Sequence, residues 1–267
     1  MRIYSDPLVA IREIERDLKE MGIEYASSTV QDKHLSGFNA ITRELMGYSF
    51  MISPSVSEFA PTILDKTVLY RTPEKPGDDL LMYVKGEFMD RIGGYGNNYR
   101  DPRELMLAPA TRFRESVWSQ YRDTTTLQFH YTYAQRLHNQ WVTLFTNLMT
   151  PGSRHAILHF FDGISVRSDD RAYPGLDAER TGGKARVPCS MYYQFLVRGD
   201  RVHMIYNMRS CDFINHFGID LVLALKMQQF VVDRLSHRAA RPYRIGNYTM
   251  NMGSLHAFAS DLKEDVY

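Results

Sequence analysis

The stretch VPCSMYYQFLVRGDRVHMIYNMRSCDFINHFGID, Val187 to Asp220, holds both cysteines of the chain, Cys189 and Cys211. Two runs of strand-type composition, MYYQFLV (191–197) and RVHMIYNM (201–208), flank an Arg-Gly-Asp turn, which predicts a β-hairpin. Counted back through that turn, Arg209 comes alongside Cys189. A guanidinium beside a thiol stabilises the thiolate, the form in which cysteine acts as a nucleophile. Arg209 and Ser210 also offer donors suited to phosphate oxygens. Structural alternatives exist for both: a free cysteine is commonly a small buried hydrophobe, and Arg209 to Asp212 could close a local salt bridge. Beyond Asp220, the segment IDLVLALKMQQFVVDRL (219–235) is apolar nearly all round its first two turns, which marks a buried helix. A hairpin beside a core helix argues against a purely parallel sheet and for an α/β (α+β) fold with a mixed sheet.

Around this stretch the chain has 267 residues, 44% of them hydrophobic, enough for a substantial core. No internal repeat, low-complexity tract or linker divides it, so one domain over 1–267 is expected. A net charge of +1 gives no case for nucleic acid or an acidic membrane surface as a partner. The start, MRIYSDPLVA, does not read as a signal peptide, and no run reaches the roughly 18 apolar residues of a membrane span. The expectation is a soluble cytoplasmic protein with reduced thiols. Without a CxxC or HExxH pattern, no metal site is expected.

Residues 6–22 predict a helix with Asp6 as N-cap, Pro7 in its first turn, an apolar stripe at Leu8, Ile11, Ile14 and Leu18, and Gly22 at its end. Strands around a polar loop at 31–39 follow. Residues 71–79 and 163–186 read as loops, 127–149 as one long helix, and 154–162 as a strand. The tail reads as a last strand and a short helix.

The motifs together resemble the thymidylate synthase superfamily. Its Pro-Cys, Tyr-Gln-Phe and Arg-Ser-x-Asp blocks match VPCS, YQF and RSCD, and its base-reading position, eleven residues after the arginine, is Asp220. YGNNYR (95–100), PGSRH (151–155) and GSLHAF (253–258) are similar to further blocks of the family, in the same order. The likeness covers about 90–258.

That resemblance implies a thymidylate synthase-like fold and a homodimer with shared active sites. It also implies a pyrimidine nucleotide as substrate and 5,10-methylenetetrahydrofolate as co-substrate. Cys189 would attack carbon 6 of the base, with Tyr95 and Glu58 completing the catalytic set. Glu58 lies 37 residues before Tyr95, near the family's active-site glutamate, although its surroundings, SVSEFAPTIL, do not match. Arg209 and Ser210 would bind the phosphate, and Arg154 and His155 that of the partner subunit. His155 stands where the family has a second arginine. His256 and Phe258 would face the sugar, and Asp212 the folate pterin. Lys33 and Arg43 are candidates for further phosphate contacts.

The departures from the family pattern point to the base. Thymidylate synthases carry asparagine at the position of Asp220, whereas a carboxyl group only accepts when ionised and also donates if protonated; it accepts from the exocyclic amine of cytosine and, if protonated, can donate to the ring as well. The family's cytidylate hydroxymethylases carry aspartate there. The alternative is that Asp220 caps the helix that follows. Ser190 replaces a histidine after the nucleophile, and Phe258 replaces a tyrosine, which leaves ribose or deoxyribose open. The chain ends nine residues after Phe258. Family members continue into a tail that closes over folate. The expected activity is therefore hydroxymethylation of CMP or dCMP at carbon 5, as used in phage DNA modification or nucleoside antibiotics. Reductive methylation and a non-catalytic nucleotide-binding role are the alternatives.

Overall fold

The computed structural model describes residues 1–26, 41–53, 63, 78–93, 95, 133–160 and 188–262. Glu58, Lys33, the polar loop at 31–39 and the loop at 163–186 lie outside these residues. A seven-stranded mixed sheet is built from β1 (Arg2–Tyr4), β2 (Ile23–Ala26), β3 (Ile41–Ile52), β4 (Ala156–His159), β5 (Ser190–Arg198), β6 (Arg201–Asp212) and β7 (Arg244–Phe258). The order across it is β1-β3-β7-β6-β5-β4, with β2 paired to the other end of β3. β6 and β7 run parallel, β1 and β3 likewise, and the other pairs are antiparallel. The described helices are α1 (Pro7–Met21), α2 (Asp78–Ile92), α3 (Tyr133–Leu137), α4 (Trp141–Met149) and α5 (Gly218–Ala239).

The expected hairpin is β5–β6. Arg198 pairs with Arg201 across Gly199 and Asp200, and Gly199 takes φ +62°, the positive value that a two-residue hairpin turn needs at its first position. β6 runs past the expected Met208 to Asp212, because its far end pairs with β7 (Ser210 opposite Ser254, Asp212 opposite His256). Alternation along β6 buries Val202, Met204, Tyr206 and Met208 on one face and leaves His203, Ile205 and Asn207 half-buried on the other. α5 covers the first face with Leu221, Leu223, Ala224, Met227 and Val231, all fully buried, as its apolar composition requires.

α1 matches its expected ends. Asp6 accepts from the Leu8 N–H, and Gly22 closes the helix where a β-carbon would collide with the Leu18 carbonyl. The single helix expected over 127–149 is instead broken, from Tyr133 onward, into α3, a 3-10 turn at His138–Gln140, and α4. The break coincides with Gln140, whose side chain donates to the carbonyls of Arg136 and His159 and accepts from the His159 N–H. It thereby covers the edge strand β4, where unpaired backbone groups invite foreign strands. Residues 259–262 form turns rather than the expected short helix, and the remainder of that expectation lies outside the described residues.

Candidate active site

Two strand ends and the start of α5 converge at one edge of the core. The backbone ladder continues past β5, with Arg209 N–H donating to the Cys189 carbonyl at 2.9 Å. The Arg209 guanidinium folds back along the same segment. Its Nε donates to the Pro188 carbonyl at 3.0 Å, and its Nη2 lies 3.8 Å from Cys189 Sγ. The structure thus contains the sequence-predicted contact, a permanent cation touching a partly exposed thiol. Arg209 is itself exposed, with Ser210 half-buried beside it.

Cys211 is a different kind of thiol. It is 2% exposed, and burial, reinforced by the charges of Asp220 and Asp212, pushes it well above the usual thiol range. It stays neutral and unreactive.

Asp212 ends β6 and caps the turn that follows. Its Oδ1 accepts from the backbone N–H groups of Ile214 and Asn215 at 3.1 and 3.0 Å. Burial disfavours its charge, but His216, His256 and the Asn215 amide outweigh that and hold the carboxyl far below its usual range. The next five residues, Phe213–Phe217, form a wide π turn, a form often associated with functional sites. Asp212 thus caps this turn, while α5 begins after Phe217 without a side-chain capping hydrogen bond and carries Asp220 as its third residue. His256 sits opposite Asp212 in the β6–β7 register, with Nδ1 3.2 Å from Ser254 Oγ, while Phe258 is buried.

Asp220 faces a residue that sequence reasoning missed. Arg91, near the end of α2, is 1% exposed. Its Nη2 contacts Glu87 at 2.7 Å and lies 3.7 Å from the Asp220 carboxylate, and its Nη1 donates to the Tyr193 hydroxyl at 2.5 Å. Tyr193 packs on Tyr206 with ring centroids 4.6 Å apart, and the Tyr206 hydroxyl shares a hydrogen bond with Ser190 Oγ. Burial pushes the Tyr193 phenol up to about 12, against the pull of Arg91, and raises Tyr206 well above the usual phenol range. Both phenols are neutral. A continuous buried path therefore runs Ser190–Tyr206–Tyr193–Arg91–Asp220, from the residue next to the thiol to the expected base reader. The one local signal for Arg91 was the i,i+4 spacing of Glu87 and Arg91, which is common on solvated helices.

Other expected residues lie elsewhere. Tyr95 packs edge-on against Trp141, Phe145 and Phe230, with its hydroxyl accepting from Arg238 at 3.3 Å. Phe230 follows Asp220 by ten residues, about 15 Å along α5, so the structure does not gather Tyr95 with Cys189 and Asp220. Arg154 and His155 are exposed at the turn before β4. Arg43 is engaged by Glu24. Among the described residues no cluster of three or more His, Cys, Asp or Glu is placed to hold a metal ion, and no helix is long and apolar enough to cross a membrane.

No protein-family model matches the chain, and no curated protein sequence matches it. Its fold is similar to that of the thermostable thymidylate synthase A from Bacillus subtilis, with a TM-score of 0.56 and 15% identity, covering 93% of this chain and 78% of that one. The mixed sheet, its helical cover and this likeness together establish a thymidylate synthase-like fold.

Proposed function

We propose that the protein transfers a one-carbon unit from 5,10-methylenetetrahydrofolate to carbon 5 of CMP or dCMP, giving the 5-hydroxymethyl nucleotide and tetrahydrofolate. The observation that carries this reading is the Cys189–Arg209 contact, with Asp220 at the far end of a path that starts at Ser190, next to the thiol. Cys189 adds as thiolate to carbon 6 of the base, which turns carbon 5 into a nucleophile. Carbon 5 bonds to the folate methylene and loses its proton, tetrahydrofolate departs, and water adds to the exocyclic methylene. Expulsion of the Cys189 thiolate from carbon 6 restores the ring. Arg209 and Ser210 bind the phosphate, Asp220 accepts from the cytosine amine, His256 and Phe258 face the sugar, and Asp212 holds the turn against which the pterin rests. Ser190 contributes through Tyr206. The reading asks nothing of Tyr95, and Glu58 is carried only as part of the family resemblance.

Incubation with [5-³H]-CMP or [5-³H]-dCMP and methylenetetrahydrofolate tests it. Tritium should pass to water and the product should gain the mass of a hydroxymethyl group without dihydrofolate absorbance. Dihydrofolate formation would identify a reductive methylase, and retention of tritium with both nucleotides would leave a nucleotide-binding protein without this chemistry.

The same reading includes a homodimer in which Arg154 and His155 reach the partner's phosphate. Their exposure on the protomer supports it, as does a sheet face on which Tyr192, Leu196, Ile205 and Thr249 are left half-buried. Mixing inactive Cys189→Ala with inactive Arg154→Ala subunits should restore activity, because one site of the hybrid is intact. Absence of recovery when mass spectrometry shows subunit exchange would rule out the shared site.

A further inference from the structure

Side chains of a strand alternate between its two faces. β5 buries Tyr193 and Phe195 and leaves Tyr192 and Gln194 half-buried, so strict alternation would turn Cys189 into the core and Ser190 away from it. The opposite is found. Ser190 is 1% exposed, and Cys189 keeps some exposure beside Arg209. The cause lies in the register. Ser190 faces Met208 but Tyr192 faces Asn207, so Met191 is one residue more than β6 supplies. Such a bulge flips the faces of the residues beyond it. The hairpin brings Cys189 near Arg209, and the bulge turns the thiol to the arginine's face. Two contacts hold it there. The Met191 carbonyl accepts from the Phe160 N–H at 2.9 Å, and Ser190 Oγ shares a 2.5 Å hydrogen bond with the Tyr206 hydroxyl inside the core. A serine hydroxyl in an apolar core is tolerated only when it is bonded in this way.

We propose that Tyr206 is the positioning residue of the nucleophile: by bonding Ser190 in the core it holds the bulge that turns the Cys189 thiol toward Arg209. This rests on the reading of Cys189 as the nucleophile. Tyr206 is itself fixed. It is fully buried, and its ring packs on that of Tyr193, whose hydroxyl is held by Arg91. Burial keeps its phenol neutral, so the bond to Ser190 joins two neutral hydroxyls and does not titrate in the working range. Tyr206 thus acts on the thiol only through Ser190 and the chain next to it. Among the described residues, the charged and titratable groups at this end of the sheet are Arg209, Cys211 and Asp212 on β6, His256 on β7 and Asp220 at the start of α5. Of these, Arg209 is the cation in contact with the thiol, and that contact depends on which face Cys189 takes.

The test reads the thiol directly, as the rate of Cys189 alkylation by iodoacetamide between pH 5.5 and 9.5, with the modified peptide identified by mass spectrometry. Cys211, sealed in the core, stays unlabelled in the folded protein. Wild-type Cys189 should react faster at pH 7 than glutathione does. In Tyr206→Phe the rate at pH 7 should fall about fivefold or more and the midpoint of the pH profile should rise, because the thiol loses its guanidinium. The double variant Ser190→Ala/Tyr206→Phe leaves no hydroxyl to satisfy in the core, so it should return to within about twofold of wild type. If Tyr206→Phe does not fold, as judged by circular dichroism, Ser190→Asn takes its place. A 2.5 Å contact leaves no room for the longer amide, and the same slowing is expected. A folded Tyr206→Phe or Ser190→Asn with the wild-type rate and midpoint overturns the proposal. So does a double variant as slow as Tyr206→Phe, which would make ring packing and not the hydroxyl pair the cause. The two readings fail separately. A wild-type thiol no faster than glutathione removes Cys189 as an activated nucleophile, whereas a fast thiol indifferent to Tyr206→Phe removes only the role of Tyr206.

Discussion

Replacing Cys189 by alanine is expected to abolish turnover and tritium release while nucleotide affinity stays within about tenfold of wild type. Covalent addition has no substitute once the sulfur is gone, because carbon 5 of the pyrimidine becomes nucleophilic only after carbon 6 is attacked. Binding survives because Arg209 is held by the Pro188 carbonyl and by the Cys189 backbone, neither of which the substitution removes. Cys211→Ala is the informative control. That thiol is sealed in the core and neutral, so its loss should lower stability through a small cavity and leave the chemistry in place. Residual activity above a few per cent in Cys189→Ala would make the sulfur a packing group and end the covalent mechanism.

Asp220→Asn is expected to exchange the base preference, lowering kcat/KM on cytidylate and raising it on uridylate. In the wild-type site a uracil carbonyl would meet a carboxylate oxygen. Two acceptors opposed in a dry pocket cost roughly 1–3 kcal/mol, more when one is charged. At about 1.4 kcal/mol per factor of ten, that corresponds to roughly 10- to 100-fold discrimination or better. Asparagine offers a donor and an acceptor and removes the opposition. The variant should fold, since Asp212 rather than Asp220 caps the turn and Glu87 still pairs with Arg91. Steady-state kinetics with both nucleotides decide the matter, and an unchanged ratio would place base reading elsewhere.

The parts of this molecule that were legible in its sequence are those governed by local rules. The Asp6 cap and the Gly22 stop of α1, the two-residue turn at Gly199, and the all-round apolar surface of α5 each follow from a few adjacent residues. The approach of Arg209 to Cys189 was legible for the same reason: hairpin register converts a spacing in sequence into a distance in space. The parallel pairing of β6 with β7 brings together strands separated by the whole of α5, so the true end of β6 and the pairing of Asp212 with His256 were decided by the sheet. The break at Gln140 follows from a contact with β4, nineteen residues away. Tyr95 shows the limit from the other side, since a motif match placed it near the base and packing against Trp141 and Phe230 placed it along α5. Arg91 is the clearest case. On α2 it is an ordinary i,i+4 partner of Glu87, and only the closure of the core over β5 and α5 strips it of water and sets its charge against Asp220. Desolvation is a property of the whole fold, and it turns a commonplace surface pair into a fixed buried charge.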